Sequence, residues 1–241
     1  MAGAELARLR LAGLAGVAAA LAWIVGDMLL VGHVANVVDY PWLAAHADFA
    51  DRELALRLLG VPASRLAAGA LWAAFSVPLY LCGGWHLWRG LRGGGRAWTV
   101  PAAALILAGY ALAPLPHAAF YFVGATWQAV ASADPAGQAA LLALAAQFHR
   151  VLEWTYFPAV ACQALGLLWF AAAVARGGGA YPRWFALTAN PLVLGLLAIG
   201  VPQLIGGPLS PALGAAAFNV VWLLVYLQSL ALLWRGGAAR H

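Results

Sequence analysis

Apolar residues run through this chain in long unbroken blocks, and polar positions are confined to short stretches between them. Alternation every second residue would mark barrel strands, whereas continuous apolar runs of this length mark membrane-spanning helices. A run of about 20 apolar residues is enough to cross ~30 Å of hydrocarbon as a helix. The blocks predict six spans, over about Leu11–Val34, Val61–Trp88, Trp98–Gly124, Phe148–Val174, Trp184–Ile205 and Pro211–Trp234. The first block is longer than a secretory core and contains Asp27, so it reads as a span and not as a cleaved signal. The expected fold is all-α: one polytopic transmembrane helix bundle occupying residues 1–241.

The breaks between blocks carry ordinary helix punctuation. Residues 35–61 are the most polar stretch, holding Asp39, His46, Asp48, Asp51, Arg52, Glu53 and Arg57. Within it, 51–60 predicts a short interfacial amphipathic helix started by Asp48 or Asp51 and ended by Gly60. Pro114 and Pro116 predict a bend in the third span. Asp134 with Pro135 marks a helix start, and the apolar stretch from there to Val174 is too long for one crossing. A surface helix followed by a span from about Phe148 is expected there. Asn190-Pro191 and Pro202 should interrupt the fifth span.

Composition sharpens this reading. The chain is 65% hydrophobic and 9% charged, with mean hydropathy +0.85, far too few charges to cover a water-facing globule. Its net charge of +5 comes from arginine alone, a bias that fits a high-GC bacterial genome. Arg8, Arg10, Arg89–Arg96, Arg176, Arg183, Arg235 and Arg240 fall on one side of a six-span arrangement. The positive-inside rule then places both termini in the cytoplasm and the protein in the inner (plasma) membrane. Arg52, Arg57 and Arg65 are assigned to the long first outer loop. The arginines are scattered between spans, so nucleic acid is not the expected partner. A membrane lipid or another hydrophobic small molecule is. Cys82 and Cys162 lie in apolar runs as packing residues, and no motif for a soluble cofactor or a phosphate-binding loop is present.

Ionisable groups at membrane depth cost several kcal/mol unless paired, so each is a candidate for function. Counting ~1.5 Å per residue, Asp27 and His117 lie ~10 Å from the outer ends of their spans and Asn219 ~12 Å into the sixth. His149 and Glu153 lie in the outer part of the fourth span, one helical turn apart. His117 shares a stripe with Tyr121 and Tyr110, and Asn219 one with Trp222, Tyr226 and Ser229. The expectation is a polar, aromatic-lined cavity near the outer leaflet. His33 and His46 lie near its rim, Arg150 points outward, and Trp85, His86 and Arg89 act as inner-boundary anchors.

Two short patches resemble the emopamil-binding protein family of sterol isomerases. One is Phe148-His149-Arg150-Val151-Leu152-Glu153-Trp154, and the other is Phe218-Asn219-Val220-Val221-Trp222. The resemblance implies Glu153 as proton donor, His149 in proton transfer, and Asn219 and Trp222 lining a cavity. The chain departs from that family in its larger number of spans and in having no acidic residue after Glu153, so Asp27 would have to supply a second acid. Gly26-Asp27-Met28-Leu29-Leu30 is also similar to a patch in lysoplasmalogenase-like membrane hydrolases, and with Asn190-Pro191 the chain resembles uncharacterised six-span bacterial families.

The leading expectation is an intramembrane enzyme doing acid–base chemistry, isomerisation or protonation-initiated cyclisation, on an apolar lipid or isoprenoid. Glu153, His149, Asp27 and His117 would move protons while Tyr121, Trp154, Asn219, Trp222 and Tyr226 line the substrate site. Aromatic faces stabilise developing positive charge there. One alternative makes Asp27, His117, His149 and Glu153 zinc ligands of a lipid hydrolase. Another is a small transporter or lipid-binding protein with a broken fifth helix near Gln203 and Gly206-Gly207-Pro208.

Overall fold

A computed structural model describes residues 3–45, 52–177 and 179–234. Ten α-helices follow one another without a β-strand among the described residues: α1 Gly3–Val31, α2 Trp42–Ala45, α3 Arg52–Leu58, α4 Ala63–Leu91, α5 Arg96–Leu112, α6 Pro114–Ser132, α7 Pro135–Arg176, α8 Phe185–Thr188, α9 Pro191–Ile205 and α10 Ser210–Leu233. Helices α1, α4, α7 and α10, together with α5 and α6 taken as one bent helix, are each long and apolar enough to cross a membrane. The protein is a multi-pass membrane protein built as an all-α bundle. His46, Asp48 and Asp51 lie outside the described residues, as do Arg235 and Arg240.

Two boundaries differ from the expected ones. The fourth span is not preceded by a separate surface helix. Asp134 accepts from the Gly137 amide, Pro135 occupies the first turn, and α7 then runs unbroken for 42 residues, through Pro158. The Ala/Leu-rich stretch 139–147 holds no glycine or proline, so nothing in it ends a helix. The fifth span is shorter than expected. Asn190 accepts from the Leu192 amide and starts α9 at Pro191, leaving 15 residues, or ~22 Å, against ~30 Å of hydrocarbon. Pro202 is accommodated inside α9, and Gly206 and Gly207 end it with φ of 61° and 67°. The bend in the third span falls at Ala113, as the prolines predict.

Close helix crossings set the positions of everything that follows. Gly16 and Gly83 let α1 and α4 meet backbone to backbone: a Cβ on Gly83 would sit 2.7 Å from the Gly16 Cα. Gly26 and Gly69 do the same one crossing further out, and Gly109 of α5 meets the α7 backbone at Gln163. Without a hydrophobic drive between helices in lipid, such small residues supply packing that larger ones would block. The C-terminal end of α1 has no basic residue of its own in its last turn. Arg65 donates instead to the carbonyls of Met28 and Leu29, and Arg57 to that of Val31, filling helix-end acceptors that would otherwise be orphaned. Arg65 therefore belongs to α4 and clamps α1 just beyond Asp27; it is not a free loop cation. At the other end Arg10 donates to the Trp234 carbonyl, and Arg89 pairs with Glu5.

Candidate functional site

Three polar side chains from separate helices meet inside the half of the bundle away from the start of α1 and the end of α10. Asp27 on α1 stands between His117 on α6 and Asn219 on α10. His117 Nε2 lies 3.2 Å from Asp27 Oδ1, and Asn219 Nδ2 donates to Asp27 Oδ2 at 2.6 Å. The Tyr80 hydroxyl on α4 donates to Asn219 Oδ1 at 2.8 Å, which leaves the amide nitrogen facing the carboxyl group. The break before α6 supplies the last partner: His117 Nδ1 lies 2.7 Å from the Ala113 carbonyl. Trp23 packs edge-on against both Tyr80 and His117, and Tyr110 stacks on Tyr80 with centroids 4.3 Å apart.

Counting protons in this cluster is informative. The Ala113 carbonyl can only accept, so His117 Nδ1 carries hydrogen. Asp27 Oδ2 accepts from Asn219. Between Nε2 and Oδ1 there is then room for one proton: either an imidazolium faces a carboxylate, or a neutral imidazole accepts from a carboxylic acid. His86, buried near the opposite end, is different. It has no carboxylate partner: its Nδ1 donates to the Leu9 carbonyl, its Nε2 lies 2.8 Å from the Ser229 hydroxyl, and that hydroxyl lies 2.7 Å from the Tyr181 hydroxyl. Burial pushes the Tyr181 phenol well above the usual tyrosine range, keeping it a donor. His86 is a fully buried structural linker, not the interfacial anchor expected of it.

Asp27 and His117 line a cavity of about 90 Å³ with Trp23, Phe120, Tyr156, Gln163, Phe218 and Asn219. Tyr156, Gln163, Ala215 and Phe218 also line a larger cleft of about 300 Å³ between α7, α9 and α10. That cleft is mostly apolar and reaches the outside of the bundle, where Ile199 is exposed.

The other expected site residues lie elsewhere. Glu153 and His149 line another concavity of about 220 Å³ with Leu54, Leu152 and Phe157; it shares Phe120 and Tyr156 with the Asp27 cavity, but neither Glu153 nor His149 lines that cavity. The four residues considered as zinc ligands are therefore not one set, and among the described residues no three His, Cys, Asp or Glu side chains converge to hold an ion. Trp154 is 80% exposed and points away from the interior. Tyr121 lines none of these cavities, and neither does His33. Tyr226 is buried against Tyr110, with the hydroxyls 2.8 Å apart, and backs the site without lining it. Trp222 lines the larger cleft, and Arg150 is exposed.

Several lining residues were not singled out from the sequence. Tyr80, Trp23 and Tyr156 pass for ordinary aromatic filling in apolar runs. Gln163 did carry a signal, being a lone amide deep in the fourth apolar block.

No curated protein and no solved structure matches the chain. One family model matches residues 4–235, that of a family of unknown function (DUF6796). Since the match spans nearly the whole chain, the protein belongs to the family DUF6796.

Proposed function

We propose that this protein is an intramembrane acid–base enzyme that isomerises, or cyclises after protonation, an apolar isoprenoid-like lipid in the bacterial inner membrane, with both termini in the cytoplasm. The observation that carries the reading is the 3.2 Å contact between Asp27 Oδ1 and His117 Nε2 at the wall of a cavity that shares Tyr156, Gln163, Ala215 and Phe218 with the neighbouring cleft. In the neutral form of the pair, Asp27 holds the proton on Oδ1. Transfer of that proton to one carbon of an alkene forms a C–H bond and a carbocation and leaves a carboxylate. The carboxylate then removes a proton from a neighbouring carbon, the double bond re-forms one position along, and Asp27 is protonated again. The step needs no oxidant and no co-reactant. Trp23, Phe120, Tyr156 and Phe218 present ring surface where the positive charge develops.

The geometry favours Asp27 as the acid over Glu153, which the sterol-isomerase resemblance would select. Glu153 is exposed and does not line the Asp27 cavity. Glu153→Gln is therefore expected to retain activity within about threefold, since a group that does not touch the reacting atoms contributes no general-acid factor. The test is solvent-deuterium exchange. Purified protein is incubated in deuterium oxide with isoprenoid lipids extracted from bacterial membranes, and mass spectrometry follows carbon-bound deuterium. Wild-type protein should catalyse incorporation and Asp27→Asn should not; equal incorporation by Asp27→Asn would overturn the proposal.

A second reading, a small lipid transporter, is favoured by one feature. Helix α9 is short, ends at two glycines of positive φ, and leaves Leu192, Leu196, Ile199 and Leu204 exposed. Proton-driven lipid movement in proteoliposomes, lost with Asp27→Asn and without deuterium in the lipid carbon, would select it.

A further inference from the structure

At the end of the bundle where Glu5 of α1 pairs with Arg89 of α4, the C-terminal ends of α4 and α7 meet the start of α5 around a pocket of about 240 Å³. It shares no lining residue with the cavities described above. Its walls combine Trp98, Thr99 and Arg176 with glycine backbone from the α4–α5 and α7–α8 loops. Arg183 reaches the same place from beyond α7. Gly177 lines the pocket, and a Cβ built on it would lie 3.5 Å from Arg183 Nε and 3.6 Å from Nη2.

Positive charge gathers around this pocket without a counter-charge. Among the described residues, neither Arg176 nor Arg183 has a carboxylate partner, and Glu5 is taken by Arg89. The Arg176 guanidinium lies 4.4 Å over the Trp98 ring, which holds it at the pocket wall. Helix α5 adds to the imbalance, since it begins at Arg96 with no side-chain cap and no acidic residue in its first turn. The first amides of a helix have no partner inside it and carry partial positive charge, which a neighbouring anion balances and an arginine does not. Thr99 gives an independent sign of a ligand. It is 6% exposed, and its hydroxyl has no hydrogen-bond partner among the described residues. Fully enclosed unpaired side-chain atoms occur on Trp23, Trp42, Gln163 and Trp222, not on Thr99. The Thr99 oxygen therefore keeps open surface, and the pocket is the space that Thr99 lines.

From this we infer that the pocket binds the phosphate of an anionic membrane phospholipid. Arg176 and Arg183 pair with its oxygens, and the Thr99 hydroxyl and the first amides of α5 donate to it. Donors that approach from two loops and a helix start suit a tetrahedral phosphate, whose oxygens accept in several directions, better than a planar carboxylate. The last carbonyls of α7 carry partial negative charge, so the phosphate sits toward α5. The surroundings point to a lipid as its source. Trp98 tilts against Trp169, which is 40% exposed, and Trp184 in the α7–α8 loop is 55% exposed. Tryptophans mark the headgroup level of a bilayer, and basic pockets between spans at that level hold lipid headgroups. This site is independent of Asp27, so neither assignment depends on the other.

Native mass spectrometry of the purified full-length protein, released from a neutral detergent after titration with phosphatidylglycerol, tests this. Saturable retention of phosphatidylglycerol is expected, with phosphatidylcholine, whose headgroup has no net charge, held at least ~10-fold more weakly. Inorganic phosphate should displace the lipid only at concentrations at least ~10-fold above those of phosphatidylglycerol, because it brings no chain to the apolar rim. Arg176→Gln and Arg183→Gln should each weaken retention about tenfold, as loss of a hydrogen bond to a charged group does. Thr99→Val keeps the shape of the side chain, removes only the unpaired hydroxyl, and should also weaken retention about tenfold; it keeps the test decisive if an arginine variant fails to fold. Arg8→Gln removes the same charge from an exposed position that does not line the pocket, and should change retention less than about twofold. Equal retention of phosphatidylcholine, or no saturable binding by folded wild-type protein, would overturn the inference. So would equal losses in Arg8→Gln and Arg176→Gln, since a diffuse basic surface and not a pocket would then hold the lipid. Displacement by inorganic phosphate at the lipid's own concentration would overturn the assignment of the phosphate to a lipid.

Discussion

Asp27→Asn is expected to lower deuterium transfer to lipid carbon by at least ~10²-fold while the bundle stays folded. General-acid groups contribute about 10² to 10⁴ in rate, and an amide cannot give up its proton to an alkene. The fold should survive because asparagine reproduces the neutral form of the pair. Its carbonyl oxygen can accept from Asn219 where Oδ2 does now, and its NH₂ can donate to His117 Nε2 where the carboxylic acid would. His117 keeps its bond to the Ala113 carbonyl throughout. Asp27→Leu separates chemistry from architecture. It strands Asn219 Nδ2 and His117 Nε2 in a buried site, at about 1–3 kcal/mol each, and should lower the thermal midpoint in detergent by several degrees relative to Asp27→Asn. If both variants melt alike, the cluster is not holding α1, α6 and α10 together as described.

The second large effect is architectural. Gly83→Leu should prevent α1 and α4 from docking and yield aggregated or unassembled protein. A Cβ at this position would lie 2.7 Å from the Gly16 Cα and 2.7 Å from the Tyr226 hydroxyl oxygen. The first of those neighbours is backbone and cannot rotate away. Overpacking a well-filled core costs about 1–3 kcal/mol when side chains can yield, and more when the helices must separate. Gly200→Leu is the control: no atom lies within 4 Å of its Cβ position, and replacing a helical glycine recovers up to ~1 kcal/mol of propensity. Size-exclusion profiles in detergent and thermal midpoints should therefore move in opposite directions for the two variants. A monodisperse Gly83→Leu protein with wild-type stability would refute the close crossing of α1 and α4. Because Tyr80 lies less than one turn before Gly83, the same crossing brings the Tyr80 hydroxyl to Asn219 and so orients the amide on Asp27.

Depth in the membrane was legible from residue counting, because a helix advances by a constant rise. Asp27, His117 and Asn219 were expected at similar depths, and the structure brings them within hydrogen-bonding distance. Glu153 and His149 have a comparable depth and still miss the cluster. The face that a helix turns toward its neighbours depends on which partners it packs against, and an apolar membrane helix carries a weak pattern for choosing them. On α7 that choice is made by Gly109 and Gly166, which seat the helix against α5. Gln163 is thereby turned into the cavities, and Glu153 toward Leu54 and Phe157.

By itself the sequence determined an all-α, multi-pass architecture, because so few charges and such long apolar runs leave lipid as the only compatible surroundings. It also marked the helix start at Asp134-Pro135, where a side chain and a missing amide act locally, whereas Asn190-Pro191 was expected to interrupt a span and instead starts α9. Tertiary structure alone decided that Asp27, His117 and Asn219 hydrogen-bond one another, which residues line the cavities beside them, and that Glu153 lies apart. Those outcomes depend on contacts between residues up to 192 positions apart in the chain, and no local rule relates their orientations.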